Sequence, residues 1–412
     1  MTDSKIQELQ ALEKKHRLAE DKDNTRAVAI ELLDVCRSVS DSRALSELTT
    51  LVKKRLQQPD TITAIVRHVL SWADDYSESD PSTVPFRQSI FSVVREASAG
   101  KLTVEREHAF ATKSLSLLLD QQGKISEASS IIKDFAPEQI GALSRSERID
   151  MILFQTSTFL KSDDFVRAEI AFRKITTRSL QHEEVSPELR VRFYSLATSI
   201  ANIKKELLTA AAAYFDLYIS SLTLPSDSSL HSLAEGSLSF AARYCLMSEL
   251  SPERTTLIGR IMEAVVLKED LPSEVDLLKT TLGSELINIT ATDELPESST
   301  TQQFFPNWKL LVKERLIDHN ITVIAKFFSR ISFDDISSLV QCDVSTMEDR
   351  VCTLFGNNVI FCRIDRLKEE ISFRKDLDPA SEANEWSMSL MSTIDKLEKA
   401  VHLIEVEQSF SK

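Results

Sequence analysis

The stretch FFSRISFDDISSLVQCDVSTMEDRVCTLFGNNVIFCRIDRLKEEISF, residues 327–373, decides the fold of the C-terminal part of this chain. Its first half carries two short apolar stripes at helical spacing, and its second half is rich in β-branched and aromatic residues. The pattern predicts two short helices, a tight turn and a two-stranded hairpin. The rest of the 412-residue chain is patterned almost wholly as helices.

The two helices of this stretch are predicted from their stripes and their ends. Residues 342–344 are expected to form the turn between them, and Ser345 and Glu348 have the spacing of a capping box at the start of the second helix. Gly356 with the two asparagines that follow predicts a left-handed end. The stripes are Phe333, Ile336, Leu339 and Val340 in the first helix, and Met347, Val351, Leu354 and Phe355 in the second.

The hairpin is predicted as a strand over residues 359–364, a turn at residues 365–366 and a returning strand through Ile371 and Phe373. Helix, turn, helix and two-stranded wing is the winged-helix order. Both faces of the first strand are apolar, and a wing that lay free in water would not favour this. We therefore expect a partner protein to bind the wing, with an interface at Val359, Phe361 and Arg363.

Winged helices often bind DNA by placing the second helix in the major groove, so this alternative has to be weighed. Residues 333–374 contain eight acids and five bases, a net charge of -3, and the whole chain has a net charge of -14. Phosphate backbones are held by clustered Lys and Arg. The charge balance favours a protein interface and makes a winged-helix nucleic-acid-binding protein the alternative of another class.

Beyond Pro379 the sequence predicts one long amphipathic helix, residues 380–412. Its apolar residues recur at intervals of four and three, as in the seam of a coiled coil. A helix of about 25 residues is about 37 Å long, too long to bury its seam on a small module. We expect it to join a helical bundle with other chains. The seam residues are Trp386, Leu390, Ile394, Leu397, Val401 and Ile404.

Upstream, residues 1–290 are predicted to form a right-handed helical-repeat solenoid of the tetratricopeptide-like (TPR-like) kind. Between residues 102 and 219 a pattern of apolar helix, polar break and apolar helix occurs three times at an interval of about 40 residues. A small residue follows each break: Ala128, Ala168 or Ala211. Polar stretches at residues 74–85 and 292–303 are predicted loops, and the second separates the solenoid from the winged-helix part, residues 304–375.

Catalytic, metal and membrane signatures are missing from the sequence. It has no HExxH, GxxxxGK or GxSxG motif, which argues against an enzyme, and nothing in it suggests a cofactor. The N-terminal MTDSKIQELQ does not have the pattern of a signal peptide, and no uncharged apolar run reaches the roughly 20 residues of a membrane span. Five scattered cysteines without a CxxC pair predict reduced thiols and no metal site; Cys342, Cys352 and Cys362 are expected to pack in the core.

The C-terminal stretch resembles the PCI domain, a fold shared by the proteasome lid, the COP9 signalosome and a translation initiation factor complex. The resemblance is carried by Asp318-His319-Asn320 with the run up to Arg330, by NNVIFCRIDRLKEEISF, and by DPASEANEWS followed by HLI. It extends upstream through residues 99–132 and covers most of the chain. In the broad sense, the PCI domain would then span about residues 200–375. His319 is expected to cap or pack at a helix junction.

The resemblance implies an all-α fold in which a solenoid is followed by a winged-helix PCI module and a long C-terminal helix. It also implies a non-catalytic scaffold in a hetero-oligomer, the proteasome lid, which supports ubiquitin-dependent degradation. Expected partners are other PCI subunits of the lid, its deubiquitinase subunits, the proteasomal ATPase ring and the core particle; nucleic acid and membranes are not expected. The implied location is cytoplasmic and nuclear. A COP9 signalosome subunit, or a subunit shared by both complexes, is the alternative within the scaffold class.

Overall fold

The structure is a computed structural model that describes residues 2–54, 57–75, 83–182, 185–224, 236–265, 272–292, 295–296, 299–373 and 379–410. The chain divides into two compact units, residues 1–238 and 239–412. The described residues are overwhelmingly helical, so the predicted all-α fold class is confirmed. The predicted domain boundaries themselves stay a prediction.

The first unit begins with five amphipathic helices whose apolar faces form one continuous core. That core runs from Ile6 to Ala128 and contains Trp72, whose ring lies under the guanidinium of Arg37 at 4.9 Å. Burial of these faces holds the helices together, because none of them would be stable alone in water. The helices are α1 (Thr2–Leu18), α2 (Lys22–Val39), α3 (Asp41–Lys53), α4 (Pro59–Ser71) and α5 (Val84–Ser98).

Three helical hairpins follow, as the repeated sequence pattern predicts. The small residues Ala128, Ala168 and Ala211 are buried at the start of the second helix of each hairpin. The short helix α10 (Thr177–Leu180) lies between the second and third hairpins. The hairpins are α6 (Glu105–Gln121) with α7 (Ile125–Lys133), α8 (Arg145–Lys161) with α9 (Phe165–Phe172), and α11 (Pro187–Lys204) with α12 (Leu207–Ser221).

The three hairpins turn by the same backbone device. Gly123, Asp163 and Lys205 each have a left-handed conformation, with φ of 77°, 58° and 60°. The N–H of the following residue donates to the carbonyl five residues back, at 2.9, 3.0 and 3.1 Å. This is the hydrogen bond of a Schellman motif, which satisfies carbonyls at a helix end. The motif aligns the three hairpins residue by residue.

Ion pairs link successive hairpins at nearly the repeat interval. Arg106 Nη2 lies 2.6 Å from Glu147 Oε1, 41 positions further along the chain. Lys161 pairs in the same way with Asp120, and Lys204 with Glu169. Each bridge is partly exposed and contributes little by itself. Ion pairs of this kind therefore join each hairpin to the next one along the chain.

The second unit contains the winged-helix elements from Arg330 to Ser372, which we call the module, and the helices that support them. The first helix of this part, α13, starts just before the division between the two units. The elements are α13 (Ser237–Met247), α14 (Pro252–Val265), α15 (Ser273–Thr280), α16 (Ser299–Phe304), α17 (Trp308–Phe327), β1 (Arg330–Ser332), α18 (Phe333–Val340), α19 (Val344–Gly356), β2 (Arg363–Asp365), β3 (Glu370–Ser372) and α20 (Pro379–Phe410).

The module contains a three-stranded antiparallel sheet in the order β1-β3-β2. Ile371 of β3 lies opposite Ile331 of β1 and Ile364 of β2. This confirms the winged-helix order and adds a strand that the sequence did not reveal. Three residues are too few for an alternating pattern, so β1 could not be predicted from its sequence alone. The sheet packs on a core that includes Ile336, Met347, Val351 and Leu354.

Several details of the predicted module were wrong. Helix α19 begins at Val344, before Ser345, and its N-cap is Asp343, so Ser345 and Glu348 do not form a capping box. Ser345 Oγ donates instead to the Asp343 carboxylate at 2.6 Å. The predicted left-handed end of α19 is confirmed at the second of the two asparagines, Asn358 (φ 56°), whereas Gly356 itself is not left-handed.

The first strand of the wing is shorter than the six residues predicted. Val359 N–H donates to the Leu354 carbonyl at 3.0 Å, and this hydrogen bond caps the C-terminal end of α19. Residues 359–362 are therefore not part of the strand. Strand β2 therefore begins only at Arg363. Of the cysteines, Cys352 is exposed, against expectation, while Cys342 and Cys362 are half-buried.

Two predicted loops fall partly outside the described residues. Within the stretch 74–85, residues 76–82 lie outside them, and α5 begins at Val84. Within the stretch 292–303, residues 293–294 and 297–298 lie outside, and α16 begins at Ser299. Residues 374–375 and 411–412, at the ends of the predicted module and terminal helix, are also outside the described ranges.

Candidate protein-interaction surfaces of the C-terminal unit

Asp318 is the centre of a buried ion-pair network that holds the module on helix α17. Its side chain is 2% exposed. Arg350 Nε of α19 donates to Asp318 Oδ1 at 2.8 Å, and Arg350 Nη2 donates to Oδ2. Arg315 Nη1 donates to the same Oδ2 at 3.1 Å and reaches Glu249 with its other terminal nitrogen. The hydrogen bond to Asp318 raises the pKa of Arg350 above its ordinary value.

The neighbouring residues of α17 fix the segment before α16. Asn320 Oδ1 accepts the N–H of Ile287 at 2.9 Å, and Asn320 Nδ2 donates to the Ile287 carbonyl at 2.8 Å. His319 Nε2 lies 3.3 Å from the Glu285 carbonyl, so it is the donating nitrogen. Burial lowers the pKa of His319, and the ring is neutral near pH 7. His319 thus packs at a helix junction, as the sequence predicts.

Arg243 forms a second buried contact in the unit. Its Nη2 lies 2.5 Å from Glu274 Oε1 of α15, and both side chains are almost fully buried. Arg243 also donates to Thr301 Oγ1 at 3.2 Å and to the Pro296 carbonyl at 3.1 Å, and it lies over the Trp308 ring at 4.9 Å. One guanidinium therefore ties α13, α15, α16 and α17 together. These contacts hold together the helices that support the module.

The turn of the wing is also held in place. Asp365 Oδ1 accepts the N–H groups of Leu367 and Lys368 at 3.1 and 3.3 Å. Arg366 Nε donates to Glu348 Oε1 of α19 at 2.7 Å. Two helical turns further along α19, the rings of Phe355 and Phe361 meet edge to face at 6.3 Å.

The structure separates the three residues predicted for the wing interface. Val359 is half-buried against the module's own core, whereas Phe361 is 38% exposed and Arg363 is exposed. Phe361 and Phe355 form an exposed aromatic pair. Phe361 and Arg363 are therefore accessible to a partner, whereas Val359 packs mainly on the core of the module.

The long helix α20 carries all six predicted seam residues on its surface. Every side chain from residue 383 to residue 405 is exposed, and the seam residues are between 44% and 70% exposed. Among the described residues, nothing in the chain covers this stripe. An amphipathic helix is normally stable when its apolar face is buried. The stripe of α20 is therefore a candidate protein-binding surface.

The second helix of the module is poorly suited to DNA. Arg350 is its only base, and Asp318 and Glu314 of α17 occupy that guanidinium. Glu348 and Asp349 lie on the same helix. A groove-binding helix needs free donors for bases and phosphates. The one base of α19 is therefore already paired inside the unit.

The described part of the chain shows little of the chemistry of an active site. Within it, no three His, Cys, Asp or Glu side chains are grouped closely enough to bind a metal ion. Burial raises the pKa of Cys245 to about 11, so this thiol is a poor nucleophile near neutral pH. None of the described helices combines the length and the apolar character that crossing a membrane would take.

Comparison with known protein families settles the relationship of the chain. The sequence pattern of the PSMD12/CSN4 N-terminal family matches residues 4–223, more than half of the chain, and that of the PCI domain matches residues 297–375. The chain belongs to the PSMD12/CSN4 family. The second match contains the winged-helix module described above, and the predicted PCI relationship is confirmed.

Individual relatives cover nearly the whole chain. It is 28% identical to the 26S proteasome non-ATPase regulatory subunit 12 of Dictyostelium discoideum over 98% of this chain and 89% of the relative. It is 27% identical to homolog B of that subunit in Arabidopsis thaliana, over 100% and 97%. The similarity to COP9 signalosome complex subunit 4 of A. thaliana is lower, 20% over 81% and 77%. The chain is thus more similar to the proteasomal members of the PSMD12/CSN4 family.

Sequence reasoning missed the connection between the module and α17. Asp318 was noted as part of a family-like motif, and Arg350 as a single base among acids, but nothing in their spacing of 32 residues links them. The residue types around Asp318 did offer a signal that could have revealed this connection. A helix with an acid, a histidine and an amide in succession, all inside apolar flanks, must bury polar groups, and buried polar groups need partners.

Proposed function

We propose that this protein is a non-catalytic scaffold subunit of the lid of the 26S proteasome regulatory particle. The observation that carries the proposal is the near-complete match to 26S proteasome regulatory subunits, which span 98–100% of this chain. The fold supports it: a helical-repeat unit and a winged-helix module offer surfaces for several partners at once. The partners would be other PCI subunits, the deubiquitinase subunits of the lid, the ATPase ring and the core particle.

Two surfaces would serve this role. The exposed stripe of α20 would enter a bundle with helices of neighbouring subunits, and Phe361 with Arg363 would contact a neighbour at the wing. Such a subunit positions others and performs no chemistry itself. The purified chain would therefore hydrolyse neither ATP nor ubiquitin linkages. Turnover of either substrate that a point mutation in this chain abolishes would overturn the non-catalytic assignment.

Affinity purification of the tagged chain from its own cells tests the complex. Mass spectrometry of the purified material should identify proteasomal ATPases and other lid subunits in amounts comparable to the tagged chain. Cullins without ATPases would instead assign the chain to the COP9 signalosome, the second candidate, because the family also includes COP9 subunits. Both sets together would indicate a shared subunit. A fluorescent fusion should be found in the cytoplasm and the nucleus, as the proposed role requires.

A further inference from the structure

Two of the five cysteines lie on facing parts of the module. Cys352, on α19, is exposed, and Cys362, in the segment just before β2, is half-buried. They are ten positions apart in the sequence, and the chain reverses direction between them at the end of α19. Neither thiol has a part in the proposed scaffold role.

Two contacts hold the segment that carries Cys362 along one face of α19. The ring of Phe361 meets that of Phe355 edge to face at 6.3 Å, and Arg366 Nε donates to Glu348 Oε1 at 2.7 Å. Positions 348, 352 and 355 follow each other at intervals of four and three, so they share one face of the helix. The segment from Phe361 to Arg366 therefore runs antiparallel to α19 along this face. Cys352 lies between the two contacts, and Cys362 directly follows the first of them.

The electrostatics of the module agree with this placement. Burial raises the pKa of Cys362, and the charge of the Cys352 thiolate raises it further. The hydrogen bond with Glu348 raises the pKa of Arg366, and Cys352 adds to this effect. Coulomb interactions weaken with distance, and salt screens them beyond about 10 Å. Cys352 is thus a near neighbour of both Cys362 and Arg366.

The two thiols differ in the way that a reversible redox site requires. Cys352 is the exposed member of the five cysteines, all of which belong to the described residues, and exposed thiols are oxidised first. Cys362 is half-buried against the core of the module, which shields it from direct attack. Phe361 and Cys362 belong to neither a helix nor a strand. No ladder hydrogen bonds therefore oppose an adjustment to the Cα separation of about 4.4–6.8 Å that a disulfide needs.

We propose that Cys352 and Cys362 form a redox site, which a peroxide converts into a disulfide between α19 and the wing. The Cys352 sulfur attacks one oxygen of hydrogen peroxide, the O–O bond breaks, and the products are a sulfenic acid on Cys352 and water. The Cys362 sulfur then attacks the sulfur of Cys352. The S–S bond forms, the S–O bond breaks, and the hydroxyl group leaves as water with the proton of Cys362. Two thiols have then lost two electrons, and the peroxide has become two molecules of water.

The disulfide would act on the part of the wing that is accessible to a partner. Phe361 and Arg363, which belong to the proposed wing interface, flank Cys362 in the sequence. The bond would fix both of them against α19 until a dithiol reductant restores the thiols by exchange. The redox site itself is a property of the free chain and does not rest on the proposed proteasomal role.

The chain offers its own control, because Cys342 and Cys362 are each ten positions from Cys352. In urea, hydrogen peroxide should link Cys352 to either of them in comparable amounts, because loops of equal length close at equal entropic cost. Cys342 precedes α19, whose first residue is Val344, so in the folded chain it lies at least about 12 Å from Cys352 along the helix axis. The bond to Cys362 should therefore exceed the bond to Cys342 at least about tenfold in the folded full-length chain.

Trypsin and mass spectrometry distinguish the two bonds. Cleavage after Arg350 and Arg363 releases the peptide VCTLFGNNVIFCR, residues 351–363, which contains both cysteines of the proposed site. Oxidation of the site leaves this peptide two hydrogen atoms lighter and unreactive towards N-ethylmaleimide, until dithiothreitol restores it. A bond to Cys342 links two separate peptides instead. The comparison between the folded and the unfolded wild type needs no variant, so it is unaffected by any loss of folding in the variants.

Substitutions then test the order of the two steps. In Cys362→Ser, dimedone should label the sulfenic acid of Cys352, whereas the wild type should show little label because the disulfide forms. Cys342→Ser is the control and should form the disulfide as the wild type does. Equal amounts of the two bonds in the folded chain would overturn the proposal, and so would dimers linked through Cys352 or a sulfenic acid that persists in the wild type. None of these outcomes depends on whether the chain enters the proteasome.

Discussion

At the scale of single residues, the module depends on polar side chains that are almost completely buried. Asp318 is shared by two arginines, and Asn320 and His319 hold backbone groups of the segment before α16. Charges removed from water cost free energy unless partners compensate them. The module is therefore more sensitive to the loss of one of these groups than to the loss of an exposed one.

Asp318→Asn should strongly destabilise the second unit. The substitution leaves Arg350 and Arg315 without the carboxylate that neutralises them, and breaking a buried pair in this way costs about 3–5 kcal/mol. Glu348→Gln is the matched control, because the Glu348–Arg366 pair lies at the surface, with 77% of the arginine and 23% of the glutamate side chain accessible. That change should cost less than about 1 kcal/mol. Urea denaturation monitored by circular dichroism measures both, and equal losses would contradict the assignment of Asp318 as the centre of the network.

The free energy of unfolding should decrease below about pH 6.5, in part through His319. Burial lowers the pKa of His319 from its ordinary value of 6.5, so the unfolded chain takes up a proton at a higher pH than the folded chain does. The contribution is present above pH 6.5 and is lost as the pH falls below it. His319→Gln, which keeps a donor for the Glu285 carbonyl, should reduce this pH dependence.

The exposed His402 of α20 provides the control for this effect. His402→Gln should leave the pH profile of stability unchanged. His108, whose pKa burial also lowers, adds a further decrease in the same direction in all variants. Stability curves of the wild type and the two variants between about pH 7.5 and about pH 5.5 make the comparison. A profile of the His319 variant that matches the wild type would show that His319 has no part in it.

At the scale of elements, amphipathic spacing was enough to predict the helices, but the short strands and the helix ends depend on contacts distant in sequence. The stripes of α18 and α19 were predicted correctly in their buried members, because burial on one face imposes its own period. This reasoning could not show that Val359 lies outside the strand. Its N–H completes the end of α19, and that backbone contact outweighs the β-propensity of the residues that follow.

In the candidate site, too, some features could be predicted from the sequence and others could not. The exposed stripe of α20 was predicted residue by residue, because a seam of Trp386, Leu390 and Ile394 has a period that needs no knowledge of the fold. The ion pairs of Asp318 and of Arg243 with Glu274 were not predicted. Such pairs join residues 31–32 positions apart through the packing of whole helices, and periodicity carries no information about them.

Replacing glycine by alanine should have opposite effects on stability at two glycines, because only one of them has a left-handed backbone. Gly123 has φ of 77° and Gly259 lies inside α14, and an added Cβ would meet no atom within 4 Å at either position. Gly123→Ala should therefore destabilise the first hairpin through backbone strain alone, by about 1 kcal/mol. Gly259→Ala should stabilise α14 by about 0.5–1 kcal/mol. Thermal unfolding of both variants checks the pair, and shifts of the same sign would contradict the assigned backbone geometry.

At the scale of the whole molecule, α20 carries more exposed large apolar side chains than any other described helix. If α20 secures the chain in a complex, charges on its seam should prevent assembly without unfolding either unit. Leu397→Glu with Val401→Glu should reduce co-purification of proteasomal subunits at least tenfold, while the circular dichroism spectrum stays that of the wild type. Ser392→Glu with Lys399→Glu, away from the seam, is the control and should assemble normally. Full incorporation of the seam variant would refute the bundle role.

The exposure of α20 also has a consequence for the amount of this protein in a cell. A copy without partners displays a 32-residue amphipathic helix, and an apolar stripe of that length promotes aggregation and recognition by chaperones and proteases. A copy whose stripe is covered by partners escapes both. We therefore expect surplus copies to be short-lived, so that the abundance of this chain follows that of its partners. The residues that we propose to secure an assembled copy would then be the ones that mark an orphan copy for removal.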